Sequence, residues 1–154
     1  MSKELSVSWT QLLANIDAQK HTTSKPELDN MRELIARDLT DAALAGLSAD
    51  RRFATAYNAA LQAANLAIAC AGYRITARIG HHKLSLECAT LALGKSAKSL
   101  TDYFETCRRK RNQIDYTQSH VATDTEAKEI LAKALEFYDL VESWISKNHP
   151  KLMK

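Results

Sequence analysis

The run RRFATAYNAALQAANLAIACAG, residues 51 to 72, holds no proline, and its only glycine is its last residue. Alanine dominates it and no strand-like alternation interrupts it, so it is a long helix that Gly72 ends. Phe53, Tyr57, Leu61, Ala64 and Ile68 form one stripe, with Ala56, Ala60, Ala63 and Ala67 beside it. Small side chains let neighbouring helices approach closely, so this helix is expected at the centre of the fold. Arg51, Asn58, Gln62 and Asn65 form a third, polar stripe. It faces water or lines a cleft.

The rest of the chain follows the same pattern, with only four glycines and two prolines in 154 residues. A nearly all-helical fold is expected, with boundaries set by caps and breakers. A first helix covers about residues 7 to 20, carrying Trp9, Leu12, Leu13 and Ile16 ahead of the loop HTTS. Ser24, Pro26 and Glu27 combine a cap, an early proline and a glutamate three residues on, and open a second helix to about Ala45. After the central helix come a loop from about Tyr73 to Gly80, a fourth helix from His81 to Leu93 closed by Gly94, and a fifth over about 96 to 114. Thr123 and Glu126 form a second capping box, opening a sixth helix to about Lys147. No internal repeat or low-complexity linker is present. One domain is expected, residues 26–148, with the helix and loop of residues 1–25 packed upon it.

A formal net charge of +3 is too small to define an anion binder, so any such reading rests on where the cations cluster. Cys70, Cys88 and Cys107 are an odd count without Cys-x-x-Cys spacing, and their apolar helical surroundings make them buried reduced thiols. No apolar run approaches a membrane span, and the first ten residues lack a signal-peptide core, so the expected location is the cytoplasm.

The cluster is CRRKRNQIDY, residues 107 to 116. Leu100, Phe104, Cys107, Arg111 and Ile114 recur at helical spacing, which sets Arg111 within the apolar seam while Arg109 and Lys110 point elsewhere. A guanidinium on such a seam needs a carboxylate, carbonyls or an anionic ligand. Asp115 is the candidate internal partner. Arg108 and Arg111 lie one turn apart, a fork suited to phosphate oxygens.

AYNAALQAA in the central helix, the AGYR that follows, the His81–His82 pair and RRKRNQIDY ahead of a long last helix stand in an order that resembles the small bacterial HEPN proteins, over residues 30 to 145 or so. The resemblance implies an up-and-down helical bundle of about five to six helices, acting as a homodimer whose two arginine motifs meet in a cleft. It also implies a metal-independent ribonuclease of toxin–antitoxin or defence systems, partnered by a nucleotidyltransferase-like antitoxin. In that family the motif is Arg, four to six residues, then His, with Arg on the scissile phosphate and His in proton transfer.

Arg111 takes the Arg position and Asn112 the polar residue after it. The His position falls on Tyr116, Thr117 or Gln118, and His120 lies two residues beyond the longest spacing. The motif here ends in Asp115–Tyr116. Neither is a strong base at neutral pH, so cleavage needs a base from elsewhere, with His81 or His82 the candidates. The expected catalytic set is Arg111, Asp115 and Tyr116; the expected phosphate or nucleic-acid contacts are Arg108, Arg111, Asn112, Asn58, His81 and His82. Two functions remain: an RNA- or nucleotide-binding protein with ribonuclease ancestry, or a non-catalytic dimeric module that binds a protein partner.

Other chemistries find no support. His81 and His82 are adjacent, so on a helix they point about 100° apart and cannot grip one metal from the same face. No HExxH, nucleophile elbow or glycine-rich phosphate loop is present, and no metal or cofactor is expected. Tyr57 and Tyr103 lie on apolar helix faces, where a core ring is favoured over one that stacks on a base.

Overall fold

The computed structural model describes residues 8–76, 81–116 and 119–154, without the side chains of residues 115 and 116. Six helices make up nearly all of it: α1 (Trp9–Ala14), α2 (Lys25–Ala42), α3 (Ala49–Cys70), α4 (His81–Leu93), α5 (Lys98–Tyr116) and α6 (Asp124–Asn148). Two short strands, β1 (Ala18–Lys20) and β2 (Tyr73–Ile75), and two 3-10 turns, Lys95–Ala97 and Pro150–Leu152, complete the described residues. This is an all-α bundle in which α3 packs against α2, α4, α5 and α6.

The alanines of α3 explain that central place. Ala56, Ala60, Ala63, Ala64 and Ala67 are fully buried. Short side chains on several faces let helices pack on all of them. Larger residues from the surrounding helices fill the gaps, including Leu28 and Ile35 of α2, Phe104 of α5, and Ile130, Phe137, Val141 and Ile145 of α6. The three cysteines are free and buried. Burial pushes the Cys70 thiol up to about 11 and that of Cys88 up to about 12, which leaves both as neutral packing groups. Among the described residues no helix is long and apolar enough to cross a membrane.

The helix ends obey local chemistry. Ser48 accepts the Arg51 amide, and Thr123 and Glu126 form a reciprocal capping box at the start of α6. Asp50, in the first turn of α3, accepts the backbone amides of His120 and Ala122 at 2.7 Å each, fastening the α5–α6 connection to α3. Gly94 ends α4 with φ +94°, a conformation that a side chain disfavours.

The expectations of a first helix out to about residue 20 and of a loop from about Tyr73 are corrected here, since β1 and β2 fall in those segments. Helix α1 stops at Ala14, Ile16 takes a left-handed φ of 58°, and the chain turns into β1. β1 pairs antiparallel with β2, Ala18 opposite Ile75, Gln19 opposite Arg74 and Lys20 opposite Tyr73. The backbone groups of residues 18 to 20 find their partners in a distant segment, which no local pattern announces. Trp9 stacks on Tyr73 at 4.0 Å, and Leu12 and Ala18 form a second apolar cluster with Ile68 and Cys88. The N-terminal segment is thus packed onto α3 and α4.

One buried ionic network joins the start of α2 to the end of the chain. Arg32, 7% exposed, donates from Nε and Nη2 to Glu142 at 2.8 and 3.0 Å, and from Nη1 to Asp29 at 2.8 Å. Its Nη2 also donates to the Leu152 carbonyl at 2.8 Å. Tyr138 donates to Glu142 at 2.7 Å. Burial works against the Arg32 charge, and the carboxylates of Glu142 and Asp29 outweigh it, holding the guanidinium above its ordinary value.

Candidate functional site

Helix α5 presents its apolar seam to α3 and α4, with Leu100, Phe104 and Cys107 buried along it. Arg111 is the next residue of that seam and is half-buried. Its guanidinium carbon sits 5.9 Å from the centroid of the Tyr57 ring, within the range of a cation–π contact, and Nη2 donates to Asn58 Oδ1 at 3.3 Å. The side chain therefore points into the α3–α5 junction. Asn58, from the polar stripe of α3, is brought to Arg111.

Tyr57 was expected as a core ring and is one, only 1% exposed. Burial pushes its hydroxyl up to about 12 despite the nearby Arg111 charge, and that hydroxyl makes no hydrogen bond to any described residue. The His82 ring lies 6.0 Å from the Tyr57 ring at a 43° tilt, and His81 meets His82 edge-on at 4.4 Å. Tyr57 thus contacts both the motif arginine and a histidine of α4. Sequence spacing alone had no means of placing His82 there.

The remaining cations are engaged differently. Arg108 turns to Glu105 one turn back, with contacts of 3.1 to 3.2 Å that raise its pKa, so a phosphate there has to share or displace a carboxylate. Lys110 pairs with Glu126 of α6. Arg109 is exposed and Asn112 half-buried. The Asp115 and Tyr116 side chains, including the expected Arg111–Asp115 contact, lie outside the described residues.

His81 lines a separate pocket of about 320 Å³ with residues of α2, α3, α4 and the β-ribbon. That pocket contains His21 and Glu27, whose side chains meet at 2.6 Å. Sequence reasoning missed it. The one available signal was the HTTS loop, which sets His21 and Thr23 within reach of Glu27 if the chain turns back on itself. Among the described residues no group of three His, Cys, Asp or Glu side chains is arranged to hold a metal ion.

Comparison of the chain with protein-family models, with curated proteins and with solved structures finds no match. The functional reading therefore rests on the residues and their geometry.

Proposed function

We propose that this chain is a HEPN-type protein that binds RNA or a nucleotide phosphate through Arg111, acting in the cytoplasm as a homodimer. The observation that carries the reading is the half-buried Arg111 guanidinium, held against the Tyr57 ring and Asn58 with His82 on the same tyrosine. A guanidinium oriented by its surroundings loses little freedom when it takes a phosphate, which favours binding. Arg109, exposed on the same helix, adds a long-range attraction that salt screens.

If the site cleaves RNA, His82 supplies the base that the motif lacks. Its imidazole accepts the 2′-hydroxyl proton, the 2′-oxygen attacks phosphorus, and the P–O5′ bond breaks with the 5′-oxygen taking a proton from water, while Arg111 neutralises the phosphorane charge. A nucleotidyltransferase-like antitoxin as partner, with Tyr116 as the acceptor of its modification, belongs to the same reading.

The test is binding and cleavage of labelled single-stranded RNA in chelator at low salt. Arg111→Ala should weaken binding by about tenfold or more, the loss of one charge-assisted phosphate contact. His82→Ala should remove cleavage and leave binding within a few-fold. Full binding by Arg111→Ala overturns the reading.

A second reading is favoured by the carboxylates on Arg108 and Lys110, which already offset half of the basic run. In it the protein is a non-catalytic dimeric module for a protein partner. Sedimentation then shows Arg111→Ala dissociating the dimer while wild type neither binds nor cuts RNA.

A further inference from the structure

The Ser24-x-x-Glu27 spacing prepares a reciprocal cap, but only half of it forms. Ser24 accepts the Glu27 amide at 3.3 Å, while the Glu27 carboxylate turns away from the helix end. Its Oε1 takes hydrogen bonds from His21 Nε2 at 2.6 Å and Thr23 Oγ1 at 2.8 Å. These two donors, His21 foremost, hold the carboxyl below its ordinary value, so it is an anion at neutral pH. Oε2 receives no hydrogen bond from any described residue. The Glu27 side chain, engaged by His21 and Thr23, lines the 320 Å³ pocket.

The other walls of that pocket complete a pattern. Arg74 of β2, exposed, donates from Nε and Nη2 to Gln19 Oε1, at 3.2 and 2.9 Å, which leaves Nη1 to donate. Asn65 of α3 and Ser85 of α4 add an amide and a hydroxyl to the lining. Met31, Ile68 and Ile75 supply an apolar wall. The volume falls at the small end of ligand sites, about 300–1,000 Å³.

We propose that this pocket binds a free α-amino acid with an apolar side chain. Its ammonium group sits on Glu27 Oε2, its carboxylate on Arg74 Nη1, with Asn65 and Ser85 completing the polar contacts and the side chain on Met31, Ile68 and Ile75. One anion and one cation lining the same pocket match a zwitterion better than either ion alone. A phosphate meets Glu27 as a like charge, and a simple amine meets Arg74 the same way. The site shares no residue with Arg111, Tyr57, Asn58 and His82, so it stands or falls separately from the RNA reading.

Three probes with the same isobutyl side chain test it on the full chain by calorimetry: leucine, 3-methylbutylamine and 4-methylpentanoate. Leucine should bind below about 1 mM, and each of the other two about tenfold or more weaker, because each lacks one charged contact. Glu27→Gln and Arg74→Gln should each weaken leucine by about tenfold with an unchanged circular dichroism spectrum, both residues lying at the rim and not in the core. An absence of leucine binding at about 10 mM overturns the proposal. Amine binding as tight as leucine, or leucine binding unaffected in both variants, overturns it as well.

Discussion

Replacing Tyr57 with phenylalanine should make the protein more stable. The ring is 1% exposed and its hydroxyl lacks a hydrogen-bond partner among the described residues, so folding strips that hydroxyl of water without return. Such a group costs about 1–3 kcal/mol, and phenylalanine keeps the ring face beneath Arg111. A gain of about 1–2 kcal/mol is expected, worth roughly 2–6 °C in Tm for a chain of this size. The two proteins should also part company in alkali. Burial pushes the hydroxyl up to about 12 when folded against 10.0 for a free tyrosine, so between these values the unfolded chain ionises first and wild-type stability falls. The slope reaches about 1.4 kcal/mol per pH unit, and Tyr57→Phe removes that share of it. Urea unfolding followed at 222 nm, at neutral pH and at intervals above pH 10, measures both effects. Destabilisation of the variant at neutral pH by more than about 0.5 kcal/mol would refute the reasoning, because the hydroxyl must then have a partner.

Two further perturbations address the frame around the site. Glu142→Ala leaves the buried Arg32 with Asp29 and one carbonyl, and should cost about 3–5 kcal/mol in urea unfolding; a loss below about 1 kcal/mol would mean that water reaches the guanidinium freely. Thr123→Ala removes the capping box of α6 and should cost about 1 kcal/mol by the same measurement. The Glu126 carboxyl is held below its ordinary value of 4.5, first by Lys110, so the stability it adds is present above that pH and fades as acid titrates it.

What was legible in the sequence was whatever short-range chemistry decides. The alanine stripes of α3 announced the central helix, Gly94 and Thr123 marked the boundaries of α4 and α6, and the four-residue rhythm of α5 put Arg111 on the seam. The ribbon was invisible because β1 is three residues long and its partner lies on the far side of α2 and α3. The Arg32–Glu142 pair was invisible for a like reason, since its members stand 110 residues apart. At the site, periodicity could give the direction of Arg111 but not the surface it meets, which depends on the crossing of α3, α4 and α5. Glu27 is the instructive failure: its spacing from Ser24 fits a cap, and a tertiary turn bringing His21 and Thr23 close won the carboxylate instead.

The alanine faces of α3 also govern how far this chain can drift in evolution. A larger residue at 56, 60, 63, 64 or 67 must push a neighbouring helix outward, because each of these positions is sealed. Outer helices can exchange residues with far less penalty, as their solvent sides have room. Descendants of this protein would therefore come to differ almost everywhere before they differed along its axis, and the small residues there would be the last trace of kinship to fade.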